Sequence, residues 1–97
     1  MAEPIFTITT VRHALSAGSR AVGYYNTLDE AIERVVSNVM DINESGYYFY
    51  AVIEELLPGV YCYPRKEYWY KWEKEINTYI PCEKPQRFKQ VVGWSLG

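Results

Sequence analysis

Between residues 28 and 40 the apolar side chains fall at intervals of three and four: Leu28, Ala31, Ile32, Val35, Val36, Val39 and Met40. That spacing predicts an amphipathic helix with a single apolar stripe. "TLDE" opens it with Thr27 and Glu30 at capping-box spacing, so that Thr27 accepts from the Glu30 N–H while Glu30 reaches back to the Thr27 N–H. Asp29, Glu30 and Glu33 crowd the first turns, where negative charge complements the helix dipole. The helix is expected to finish around residues 41–45, before Gly46.

Elsewhere the period shortens to two. "PIFTITTVRH" (4–13) is rich in β-branched residues and predicts a first strand, and "AVGYY" (21–25) a second, joined through the small and polar "ALSAGSR". "YYFYAVIEEL" (47–56) predicts a third strand, broken by "PGV". "YCYPRK" reads as irregular or briefly extended. "EYWYKWE" (67–73) turns back through "KEIN" into "TYIPC" (78–82), where Pro81 favours a sheet edge. "EKPQRFKQ" allows one helical turn opened by Pro85, and "VVGWSL" a closing strand. The sum is an α+β fold: an antiparallel β-sheet of about five strands with one main amphipathic α-helix packed on one face, residues 1–97 forming one domain.

Alternation assigns the faces. Tyr68, Tyr70 and Trp72 share one side of their strand and are expected inside, against the helix; Glu67, Trp69, Lys71 and Glu73 share the other. On the third strand Phe49, Ala51 and Ile53 are expected under the helix, leaving Tyr48, Tyr50, Val52 and Glu54 opposite. Tyr48, Tyr50 and Trp69 would then share an aromatic sheet face that a single helix does not cover. Either that face is an exposed contact patch, or "YCYPRK" and the last turn fold over it. Strand order stays open, and a one-residue register error would exchange the two faces.

Composition sharpens this picture at one point. Ten Tyr and three Trp raise the aromatic share to 16%, in residue types suited to interfaces and half-buried sheet faces. A hydrophobic content of 48% supplies a core for a chain of 97 residues. "MAEPIFTITT" has no basic or apolar leader character and no apolar run approaches a membrane span, so a cytoplasmic protein away from the membrane is expected. Cys62 and Cys82 then read as two free thiols, with a disulfide between them left open if their strands are neighbours. With His13 as the single histidine, a full protein set of zinc ligands is missing.

The net charge of −2 hides an asymmetry: residues 1–60 balance to −5 and residues 61–97 to +3. Overall acidity disfavours duplex nucleic acid, which requires a concentrated basic face. The serines lack a nucleophile-elbow context, His13 is the single candidate imidazole base, Glu54 and Glu55 point to opposite faces, and the six glycines form no phosphate loop. No enzyme, cofactor or metal is expected.

Binding is better supported. Arg65, Lys66, Trp69 and Lys71 place an aromatic plane beside cations, the ingredients for holding a small nucleotide. Tyr48, Tyr50, Trp69 and Arg65 are equally the types that anchor protein interfaces. The same surface would serve a homodimer, by face packing or by strand addition at an edge.

"GYYNTLDEAIE", "YYFYAVIEELLPGVYCYP", "YWYKWEKEINTYIPCEKP" and the closing "VVGWSLG" resemble a group of very short bacterial and phage proteins. Those share a G-x-Y, a helix, a "YAVIEE"-like strand, a "PGxYxYP" segment and a "KP…VG" ending, and carry no agreed activity. The resemblance covers nearly all of the chain after Val22. It implies a context in which small proteins act by occupying a host protein, as an anti-defence inhibitor or adaptor, or by sequestering a small phosphorylated messenger as a nucleotide sponge.

Overall fold

The computed structural model describes residues 3–12, 19–57 and 64–85. Within them the chain runs β1 (Ile5–Val11), β2 (Ser19–Tyr25), α1 (Leu28–Val36), a 3₁₀ turn (Val39–Asp41), β3 (Tyr50–Leu56), β4 (Pro64–Glu73) and β5 (Thr78–Cys82). The five strands form one sheet in the order β2-β1-β3-β4-β5, every neighbouring pair antiparallel. The fold is α+β, a five-stranded antiparallel sheet with one helix packed on it. His13, Cys62 and the expected turn and strand after residue 85 lie outside the described residues. Among those described, no helix is long and apolar enough to cross a membrane.

The inner strands β1 and β3 are buried on both sides, which is why "IFTITTV" and "YAVIEEL" read as nearly continuous runs of sheet-forming residues. β5 is at the end of the strand order, the edge position that Pro81 favours. β4 begins at Pro64, earlier than expected, and accommodates its proline with a register irregularity opposite Glu55 and Leu56. A second irregularity, between Ile8 and Thr9, falls where β1 meets Gly23 of β2.

α1 starts as its sequence dictates. The Thr27 hydroxyl oxygen accepts from the Glu30 N–H at 3.2 Å and also donates to Glu30 Oε1 at 3.2 Å, so the glutamate meets the capping side chain and not the Thr27 N–H. The helix stops at Val36, well short of residues 41–45. Asn38 enters the left-handed region at φ 52°, and its side-chain oxygen accepts from the Asn43 N–H at 3.0 Å. Asparagine tolerates that backbone and offers its own amide in place of a further helical turn.

The core between helix and sheet gathers Phe6, Ile8, Ala31, Val35, Ile42, Ala51, Ile53, Tyr70 and Tyr79, with Leu28, Ile32, Tyr68 and Trp72 packed against it. Each large aliphatic side chain fully buried there stabilises the fold by roughly 1.5–3 kcal/mol. Tyr68, Tyr70 and Trp72 therefore face the helix as their alternation predicted. Phe49 does not: it packs on the opposite cluster, edge to face with Tyr50 at 4.9 Å. β3 begins only at Tyr50, so its alternation does not extend back to Phe49.

Candidate functional site

The second sheet face is not an open aromatic patch. Val11, Tyr50, Val52 and Trp69 form a second buried cluster, with Tyr50 8% and Trp69 5% exposed. Tyr50 and Trp69 do meet, their ring centroids 6.3 Å apart. Tyr48 does not join them. Its ring lies 5.0 Å from the guanidinium of Arg20, which also donates to the Ile42 carbonyl at 3.1 Å and pairs with Glu44, all on the helix side. The expectation that "YCYPRK" and the last turn cover the second face falls largely outside the described residues.

The candidate cations separate as well. Lys66 is exposed and stands opposite Glu55, whereas Lys71 stands between Tyr50 and Ile80. Five positions apart on one strand, the two project from opposite faces and cannot grip one phosphate. The backbone of Arg65 belongs to β4; its side chain is outside the described set.

Register brings together what the linear sequence kept apart. Glu54, fully buried, stands between Thr7 of β1 and Glu67 of β4. Glu67 accepts from the Trp69 indole N–H at 2.9 Å and from Lys84 Nζ at 3.0 Å. These contacts hold the Trp69 ring and make the seam a structural polar layer. A depression of about 230 Å³ beside it is lined by Glu67, Trp69, Pro81 and Cys82. Its carboxylate repels an anion, and the Lys84 ammonium is paired with that carboxylate. Burial pushes the Cys82 thiol up, opposed by nearby Lys71, so it is no activated nucleophile. Among the described residues no three His, Cys, Asp or Glu side chains gather as a metal set.

The larger cavity lies at one end of the molecule. A cleft of about 620 Å³ opens between the segment after α1 and the β4–β5 turn, lined by Asn38, Asp41, Asn43, Ser45, Phe49, Trp72, Lys74 and Asn77 among others. Phe49 and Trp72 supply apolar surface, and Trp72 is braced edge to face by Tyr79 at 5.2 Å. The two segments are tied together by the Thr78 hydroxyl, which donates to the Val36 carbonyl.

Backbone conformations out of the ordinary concentrate here. Asn38, Met40, Asp41, Glu44, Ser45 and Asn77 all have positive φ, and Gly46 sits at +94°. Such residues cost free energy and persist where the surroundings over-determine them, which is common at binding sites. Here the surroundings are an amide network: Asn38 Nδ2 donates to Asn43 Oδ1 at 2.9 Å and to Asp41 Oδ1 at 3.3 Å, and the Ser45 N–H donates to the same carboxylate at 3.3 Å.

Several exposed apolar side chains neighbour the cleft in the chain, although Tyr24 and Leu57 are exposed elsewhere. Met40 is 93% and Ile76 62% exposed, and with Val36 and Tyr47 each immediately adjoins a residue of the cleft lining. None of these cleft residues was singled out from the sequence as a site. The available signal was the density of turn formers in "SNVMDINESG", which argues for a structured loop but was absorbed into the expected helix tail. The chain matches no family model, no curated protein and no solved structure.

Proposed function

We propose that this protein is a small non-enzymatic binding protein, acting as a stoichiometric inhibitor or adaptor, and that its contact site is the end cleft and not the aromatic sheet face. One observation carries the reading: a concave site has Phe49 and Trp72 in its lining, and Met40 and Ile76, each next in the chain to a lining residue, are 93% and 62% exposed. Exposed apolar groups around a cavity are how contact sites lower their free energy on binding. The partner class follows the resemblance to short bacterial and phage proteins, namely a protein of the host cell.

A double variant tests this, Met40→Asp with Ile76→Asp. Both side chains are exposed, so folding stability should move by no more than about 0.5 kcal/mol per site. Partner association should be lost, because two carboxylates would have to be desolvated in the contact. A folded double variant that retains its partner at unchanged affinity would remove the cleft from consideration.

The second reading, a nucleotide-binding sponge for a small phosphorylated messenger, has Trp72 and Lys74 in the same cleft in its favour. It no longer draws on Trp69, which is buried.

A further inference from the structure

The end cleft contains one group without a partner. Asn43 lines it yet is 1% exposed, and its Nδ2 is buried and donates to nothing among the described residues. The identity of that atom is set by its neighbours. Asn43 Oδ1 accepts from Asn38 Nδ2, while Asn38 Oδ1 accepts from the Asn43 N–H. Turning either amide over would set donor against donor, so the vacant group is a donor and its missing partner an acceptor. A buried donor left unmade is costly, and native structures ordinarily supply its acceptor from water or a ligand.

The rest of the lining agrees. Lys74, exposed on the β4–β5 turn, forms no ion pair among the described residues. Asp41 is the acid in the lining, and its Oδ1 already receives two internal donors. The Asn43 amide donor and the Lys74 ammonium are thus uncommitted among the described residues, beside the negatively charged Asp41 carboxylate, and Phe49 and Trp72 provide apolar surface.

From this we infer that the cleft seats an anionic oxygen group, a carboxylate or a phosphate, on Asn43 Nδ2 and Lys74 Nζ, with an apolar ring attached to that group lying against Phe49 and Trp72. The inference deepens the binding reading above and rests on it. A nucleoside monophosphate and an aromatic carboxylate, such as a peptide could present, share this chemistry.

The test follows the Asn43 side-chain NH₂ resonances in ¹H–¹⁵N spectra of the full chain during titration with adenosine monophosphate, phenylacetate and inorganic phosphate. A saturable shift of those resonances is expected with at least one of the two ring-bearing anions, and a weaker response to phosphate alone. Saturation by adenosine monophosphate at the lower concentration identifies a phosphate ligand; the reverse order identifies a carboxylate. Lys74→Met, a change at an exposed turn position, should weaken that binding about tenfold or more, the loss expected for a charge-assisted hydrogen bond.

Unmoved Asn43 resonances at millimolar concentrations of both ring-bearing anions, or unchanged affinity in Lys74→Met, would overturn the inference and leave Asn43 to an ordered water. The two readings fail separately. Silent Asn43 signals together with partner loss in the Met40→Asp, Ile76→Asp variant end the anion seat and keep the docking site. A saturable Asn43 shift with partner retention in that variant keeps the anion seat and ends the docking site.

Discussion

The hydroxyl of Tyr79 donates to the backbone carbonyl of Tyr48 at 2.7 Å, joining residues 31 apart in the chain. Tyr79 is on the edge strand and Tyr48 in the short segment that leads into β3. The bond therefore links the sheet edge to the segment that bounds the cleft, and it lies beside the Arg20 guanidinium stacked on the Tyr48 ring.

Tyr79→Phe keeps the buried ring and removes this bond. Loss of the donor leaves the carbonyl short of a partner in a part-buried setting, and stability should fall by about 1–2 kcal/mol. Denaturant titration would register it as a lower midpoint at unchanged slope. A midpoint equal to that of the native chain would mean that water replaces the hydroxyl freely.

The same hydroxyl gives a pH signature. Burial raises the Tyr79 pKa above its ordinary value, with Arg20 opposing and Asp41 reinforcing the shift. Burial likewise raises Tyr70, with Tyr68 adding to it. For a raised acid the unfolded chain loses its proton first. The stability contribution is complete below the unfolded value of about 10 and is lost as pH climbs from there towards the folded value. Stability should decline on the alkaline side of about pH 10, and the decline should be shallower in Tyr79→Phe. Equal slopes for the two proteins would contradict this assignment.

Trp69→Ala should destabilise by about 3–5 kcal/mol, as expected for an aromatic ring removed from a packed site. Lys66→Ala, on an exposed side chain of the same strand, should change stability by less than about 0.5 kcal/mol. Thermal unfolding of both variants decides whether Trp69 is core or contact surface. A Trp69→Ala protein as stable as the parent would restore the sheet face as a candidate.

Thr27→Ala should cost about 1 kcal/mol by removing the acceptor of the Glu30 N–H, and Thr27→Asp should recover most of it. Circular dichroism during urea titration reads the loss of α1 together with global unfolding. Retention of full stability in the alanine variant would show that the tertiary packing of Ala31 and Val35 alone holds the helix start.

The local features were legible because they depend on near neighbours. Thr27 and Glu30 marked the helix start, alternation in "EYWYKWE" assigned Tyr68, Tyr70 and Trp72 to the core, and Pro81 marked an edge. Legibility ended where a backbone left its regular period. Asn38 ended the helix with a side-chain bond to Asn43, five residues on, and Phe49 lay one position outside the strand whose alternation was applied to it.

The candidate site was not legible, and the reason is geometric. Its lining comes from the segment after α1, from Phe49 and from the end of β4 with its turn, which meet only when the sheet stacks β3 on β4 and the Thr78 hydroxyl reaches Val36. Burial of Tyr50 and Trp69 is likewise a property of what covers a face, which no spacing along one strand records.

The sequence by itself determined the start of α1, the faces of Tyr68, Tyr70 and Trp72 and the α+β class, since helical and strand periods are local consequences of backbone geometry. Tertiary structure alone decided the strand order, the opposition of Glu54 and Glu67, the separation of Lys66 from Lys71, and the cleft around Asn43. Each of these depends on contacts between residues distant in the chain, and those distances are set by packing, not by the period of any one segment.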